Sequence, residues 1–316
     1  MAILGIDLGG TKITAVLFTE AGDILERRSV TLDKRKGPEV GTLITEQIVL
    51  MSELSSLQGD NIESIGISVP GISFSGTGIV WAPNIPGWNN YPLLDEVKKN
   101  TGDIPVKIDS DRACYILGEL WKGNARGCTN VIFIAVGTGI GAGILVNGVV
   151  LRGSNDIAGS VGWMALNRPY YDYYSSCGCF EYHASGEGIG KVARKYLRQQ
   201  EEYHGELSNK KISEITSYEV MAAYNNGDML AKKIIGESVE FWGMAVANLV
   251  SIFNPEKIIF GGGLFGPAIT LLPDIKKEAE KWAQPISIKE VKLDTSALGG
   301  DAGVYGAGYL ALQNLP

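Results

Sequence analysis

Residues 2–18, AILGIDLGGTKITAVLF, set two apolar runs around a polar Gly9-Gly10-Thr11-Lys12 turn, which predicts a β-hairpin. Residues 20–23 supply the next turn and 24–30 a third strand, completing an antiparallel meander. Residues 38–57 place Val40, Leu43, Ile44, Ile48, Met51 and Leu54 at helical spacing, and 62–69 read as a strand running into Pro70-Gly71. The stretch that follows is rich in Gly, Pro, Asn and Trp. Its Asn84, Pro86, Gly87 and Trp88 read as pocket-lining loops, with a packed Trp turn as the competing reading. A short helix over 92–100 and a strand over 105–109 lead to a helix over 112–121. Ser110 and Asp111 stand at its head, where a short polar side chain ordinarily caps the helix.

The pattern then repeats. Residues 130–152, NVIFIAVGTGIGAGILVNGVVLR, are again strand, glycine turn, strand, Asn-Gly turn and strand. Residues 3–6 match 131–134, Gly9-Gly10-Thr11 matches Gly137-Thr138-Gly139, and 16–18 match 144–146. The period is domain-sized, too long for a solenoid. Asp7 aligns with Ala135, so the hairpin does not need that carboxylate to form. Further on, the pattern predicts a strand over 163–166, helices over 186–200, 218–225 and 229–253, and a strand over 258–260 entering Gly261-Gly262-Gly263. A helix over 267–283, a strand over 286–293 and a closing helix over 301–312 complete the chain.

Composition narrows the class. A formal charge of −7 over 316 residues argues against a general nucleic-acid binder, which needs a basic face. Signal-like and membrane-spanning runs are absent, and four cysteines without a secretory signal do not make a disulfide framework. The expectation is a soluble cytoplasmic protein without nucleic-acid or membrane partners.

The glycine turns bring backbone N–H groups close to an anion, and a carboxylate beside such a turn suits magnesium. A Rossmann fingerprint needs its glycine turn to open a helix, whereas Gly9-Gly10 opens a strand. Gly-Gly-Thr-Lys also lacks the Gly-Lys-Ser/Thr ending of a P-loop. With those excluded, the ILGIDLGGTK hairpin, the GTGIGAGIL copy and the IIFGGGLF turn resemble the two phosphate motifs and the adenosine motif of the actin/hexokinase/Hsp70 superfamily. Within it, SVPGI…APNIPGW, SDRACYILGELWKG and CGCFEYHASG resemble the ROK family of repressors and sugar kinases.

That resemblance implies an α/β fold of duplicated ribonuclease-H-like domains, two lobes with the active site in the cleft. Residues 1–112, joined by the closing helix at about 301–316, would form the small lobe and 113–300 the large one. It implies ATP bound by Asp7, Gly9, Gly10, Thr11, Lys12, Gly137, Thr138, Gly139, Gly141, Gly261, Gly262 and Gly263, with Mg2+ held by Asp7 through water. Asp111 falls on the catalytic base; Gly71, Asn84, Ser110, Ser160, Trp163 and Glu181 fall on the sugar side. The implied activity is transfer of the γ-phosphoryl group to a primary hydroxyl of a sugar or polyol, in a homodimer. The competing readings are a non-catalytic sensor and the family's repressor branch. That branch carries an N-terminal helix-turn-helix, whereas the first strand here starts at Ala2.

Three positions depart from the family pattern. Ser110 replaces the usual Asn, and Ser160-Val161-Gly162-Trp163 replaces a Glu-x-Gly-His element. The zinc motif shrinks to Cys177-Gly178-Cys179, leaving two ligands of the four that structural zinc takes; Cys114 and Cys128 lie elsewhere in sequence, and His183 or His204 could contribute. No zinc is therefore expected. With a Glu and a His gone and an indole present, plain glucose is expected to be a poor acceptor.

Overall fold

The computed structural model describes residues 1–199 and 203–315. Gln200 and Pro316, the far ends of two expected helical segments, lie outside the described residues. The strands are β1 (Ala2–Leu8), β2 (Lys12–Phe18), β3 (Ile24–Thr31), β4 (Ile62–Val69), β5 (Ile72–Phe74), β6 (Ile79–Trp81) and β7 (Val106–Ser110). Then come β8 (Val131–Val136), β9 (Ile140–Val146), β10 (Val149–Val150), β11 (Lys257–Gly261) and β12 (Lys292–Thr295). The first sheet runs β3-β2-β1-β4-β7 and the second β10-β9-β8-β11-β12. In each, an antiparallel hairpin leads to strands added in parallel. The internal repeat in sequence is thus a repeat in topology.

The chain packs as two compact units, 1–127 with 150–158 and 300–316, and 128–149 with 159–299. The helix Asp111–Lys122 stays with the first unit, although the sequence reading drew a boundary at 112/113. The cause is its packing on the closing helix Ala302–Leu312. Gly306 lies so near Cys114 that a Cβ there would come within 1.8 Å of its carbonyl oxygen.

In the first unit the helix Pro38–Leu57 opens on proline at its first position and buries Val40, Leu43, Ile44, Ile48 and Met51. These pack with Leu4, Ile6, Leu8 and Ile67 in one core. β1 is buried on both faces except near Asp7, as expected of a strand covered by helices on either side. On the opposite face the closing helix approaches as closely as glycine allows. A methyl on Gly66 would sit 1.9 Å from the Ala307 carbonyl oxygen, and one on Gly5 would sit 2.7 Å from the Gly308 nitrogen.

Four expectations are corrected. Trp88 is fully buried, stacks on Tyr91 at 4.3 Å and donates from Nε1 to the Gly37 carbonyl at 2.9 Å, so it is core and not a pocket wall. Residues 161–163 form a 3-10 turn where a strand was expected from 163, because the Trp163 and Met164 N–H groups bond back to Ser160 and Val161. In 286–293 a short helix, Ser287–Glu290, precedes β12, since the Gln284 side chain accepts from the Ile286 and Ser287 N–H groups and starts a helical turn. The 267–283 helix divides into a 3-10 stretch, Pro267–Leu271, and a helix, Leu272–Ala279, with Pro273 in the first turn of the latter.

Candidate active site

Asp7 is the next-to-last residue of β1 and pairs with Thr14 across the hairpin and with Ser68 on β4. The turn is closed by the Gly9 N–H donating to the Lys12 carbonyl at 2.9 Å, and Gly10, Thr11 and Lys12 are exposed. Burial holds the Asp7 carboxyl above the ordinary range; Ser68 and Lys12 oppose the shift and Asp301 adds to it. The Ser68 hydroxyl is buried without a well-formed hydrogen bond. A raised, partly buried carboxylate beside an unsatisfied hydroxyl and an open N–H turn is a donor set that fits magnesium and its waters.

Ser110 takes the cap of the helix Asp111–Lys122, its Oγ accepting from the Ala113 N–H at 3.3 Å. Asp111 is therefore released from capping. Its carboxylate accepts from the Arg112 N–H at 2.8 Å. It is pushed up to about 6, chiefly by burial and also by the charge of Asp7, against the pull of Arg112 and a hydrogen bond from Tyr115. The strand end that carries it is braced from behind. Asp109, 6% exposed, accepts from the Ser110 N–H at 2.8 Å and from Arg152 Nε at 3.1 Å. Gly71 has φ 99°, and its carbonyl accepts from the Arg112 guanidinium at 3.2 Å. Asn84 is exposed on the loop after β6.

In the second unit the turn between β8 and β9 is fixed from one side. The helix Gly186–Gln199 begins by donating the Gly186 N–H to the Gly137 carbonyl at 2.8 Å and the Glu187 N–H to the Thr138 carbonyl at 3.3 Å. Gly262, at φ 87°, crosses Val136 so closely that a Cβ would lie 2.5 Å from its carbonyl oxygen. Around this junction lies a cavity of about 380 Å³, walled by Gly137, Thr138, Glu187, Thr216, Tyr218 and Gly263. Gly137 of the β8–β9 turn and Gly263, which follows β11, thus line one cavity. Glu187, Thr216 and Tyr218 were not anticipated. For Thr216 and Tyr218 the sequence signal was Thr-Ser-Tyr-Glu, a capping box that Thr216 and Glu219 complete at the start of the helix Ser217–Asn225.

Glu181 does not simply face outward. Its Oε2 accepts from the Ile140 N–H at 2.6 Å and lies where a Cβ on Gly139 would be only 2.6 Å away. Burial raises its carboxyl while that N–H lowers it. Gly162 abuts Glu181 and Gly178 abuts Trp163, which is 57% exposed, so Glu181, Ser160 and Trp163 belong to one loop cluster.

The donors near the shortened cysteine motif do not fit zinc. Cys179 is 6% exposed within the apolar core. His183 has its Nε2 engaged by the Tyr174 hydroxyl at 2.8 Å and its ring stacked on Phe241 at 4.3 Å. Burial brings it down to about 4, a neutral imidazole. Among the described residues no group of three His, Cys, Asp or Glu is placed to hold a metal ion. Stacked rings brace the loop instead: Tyr173 lies on Tyr182 at 4.3 Å and edge-on to Tyr174 at 4.8 Å. No helix among the described residues is long and apolar enough to cross a membrane.

Comparison with known proteins follows the same outline. A model of the ROK family matches residues 3–314. A glucokinase of Halalkalibacterium halodurans is 35% identical over 98% of this chain and 94% of its own length. The crystal structure of a ROK hexokinase from Thermus thermophilus superposes with TM-score 0.81 at 27% identity, covering 99% of this chain and 98% of that one. A ROK family glucokinase from Streptomyces griseus, in complex with glucose and AMPPNP, does so with TM-score 0.78 at 28% identity over 99% and 100%.

Proposed function

This chain belongs to the ROK family, and we propose on that footing that it is an ATP-dependent kinase acting on a primary hydroxyl of a sugar or sugar-like polyol. The observation that carries the reading is the division of labour at the head of the Asp111 helix. Ser110 does the capping, and a partly desolvated carboxylate near neutral pKa is left over. Such a group takes a proton well at physiological pH. In the proposed step Asp111 accepts the acceptor's hydroxyl proton as that oxygen bonds to the γ-phosphorus. The bond from the γ-phosphorus to the bridging oxygen breaks, and ADP leaves with the electron pair.

Backbone N–H groups of the turns at Gly9–Lys12 and Gly137–Gly141 would carry phosphate charge, and the cavity beside Gly263 would take the nucleoside end. Asp7 and Ser68 would hold magnesium, which when bound neutralises the charge on the β- and γ-phosphates. Glu181 would hold both the second turn and the sugar, with Gly71, Asn84, Ser160 and Trp163 as its partners on the sugar side. The indole at Trp163 supports a preference for an acceptor other than plain glucose.

The test is coupled ADP release over hexoses, amino sugars, ketoses and polyols, with Asp111→Ala as control. Turnover abolished by Asp111→Ala is expected. Tight ligand binding by calorimetry without turnover of any compound would establish a sensor instead, and efficient glucose turnover would overturn the acceptor preference.

A further inference from the structure

We propose that Arg152 is a positioning residue for the base: its guanidinium neutralises Asp109 and, through that carboxylate, fixes the Ser110-Asp111 junction at the end of β7. This role rests on the sugar-kinase reading and adds to it a residue remote in sequence from the Asp111 helix.

Asp109 is 6% exposed and divides its two oxygens between two tasks. Oδ1 accepts from the Ser110 N–H at 2.8 Å, while Oδ2 accepts from Arg152 Nε at 3.1 Å and from Nη2 of the same guanidinium. Ser110 in turn caps the helix by accepting from the Ala113 N–H, and the Asp111 carboxylate accepts from the Arg112 N–H. A guanidinium, a carboxylate, a backbone N–H and a capping hydroxyl thus form one chain that ends beside the base.

Charge makes the guanidinium necessary. The register of the first sheet sets Asp7 opposite Ser68 and Ser68 opposite Asp109, so Asp109 stands in the same cross-strand row as Asp7. Unpaired, it would be a buried anion in line with one carboxylate and next to the strand end that carries another. Removing one partner of a buried ion pair is costly, whereas the intact pair adds little to stability. What the pair contributes here is therefore placement and charge balance.

Arg152 is held to Asp109 by its own segment. Residues 150–158 pack with the first unit, although β9, which precedes them in the chain, belongs to the second. The Ala158 N–H donates to the Arg152 carbonyl at 3.1 Å, and the Asp156 carboxylate accepts from the Ser75 N–H and the Ser75 hydroxyl, each at 3.0 Å. Just before Ser75, the buried Ser73 hydroxyl donates to the Ile108 carbonyl of β7 at 3.3 Å. The segment therefore reaches β7 twice, directly through Asp109 and by way of the β5–β6 hairpin.

The intact protein is assayed by coupled ADP release with the acceptor it turns over fastest, and Tm is measured for each variant. Arg152→Met is expected to lower kcat by about 10–100-fold with the acceptor KM changed by less than about threefold, as a misplaced base requires. Arg152→Lys should keep kcat within about fivefold of wild type, because both guanidinium bonds end on one oxygen that an ammonium can serve. The double variant Asp109→Asn/Arg152→Met should be at least about fivefold faster than Arg152→Met, since no buried charge is left unpaired. Unchanged kcat in Arg152→Met, a loss carried by KM, or a loss that neither the lysine nor the double variant relieves overturns the positioning role and leaves the kinase reading intact. Should Arg152→Met not fold, Asp156→Gly decides, because glycine accepts the φ of 58° there while the hold on Ser75 is lost. A fall in kcat of at least about threefold at unchanged KM then sustains the role, and wild-type kcat overturns it. A wild type that phosphorylates no compound refutes the kinase reading and the role of Arg152 together.

Discussion

At the residue scale Asp111 makes the firmest predictions. Asp111→Asn should lower kcat/KM by about 10²–10⁴ with the acceptor KM changed only a few-fold, measured by steady-state kinetics. The folded carboxyl is raised to about 6, above its unfolded value. Its ionisation therefore destabilises the fold progressively as pH climbs from about 4 to 6, and that cost is complete above 6. The Asn variant should accordingly be more stable than wild type at pH 7.5, by on the order of 1–2 kcal/mol in urea titration, and the gain should vanish near pH 4. In the wild type log(kcat/KM) should fall with unit slope below about pH 6, where the base is protonated. The position of Asp111 at the head of a helix was legible from the apolar spacing that follows it. That Ser110 caps the helix was not, because two adjacent short polar side chains compete for one geometry and only the backbone angles decide. The pairing of Tyr174 with His183 was hidden for a related reason: it spans an irregular loop with no periodicity to read.

Elements tell a clearer story where periodicity is long. The helices Pro38–Leu57 and Met229–Phe253 and both glycine hairpins were readable, because each repeats its apolar spacing over several turns or strand pairs. Segments near 163 and 286 misled because four to eight apolar residues suit a strand or a turn equally, and a local acceptor settled the matter. The glycine face of the closing helix was unreadable, since its partners at Gly5, Gly66 and Cys114 are remote in sequence. It predicts that Gly66→Ala and Gly306→Ala each cost about 1–3 kcal/mol in chemical denaturation, because a backbone carbonyl stands where the methyl must go. Gly76, with nothing within 4 Å of its ideal Cβ, should accept alanine with a change inside about 0.5 kcal/mol.

For the molecule as a whole, the aromatic brace where the cysteine motif shortens predicts a fold independent of zinc. Dialysis against a zinc-selective chelator, with magnesium resupplied, should leave both Tm and turnover unchanged, and a fall in Tm would restore a zinc role for Cys177 and Cys179. The closing helix has a further consequence. It covers Ile3, Val16 and Phe18 of the first unit with Val304 and Ala311, yet it is encoded after everything in the second unit. On a ribosome adding about 5–20 residues per second, that apolar face stays bare for roughly ten to thirty seconds while residues 128–299 are made. Nascent chains should therefore engage chaperones through the first sheet during that interval. Transplanting residues 300–315 ahead of Met1 through a flexible linker should shorten that engagement.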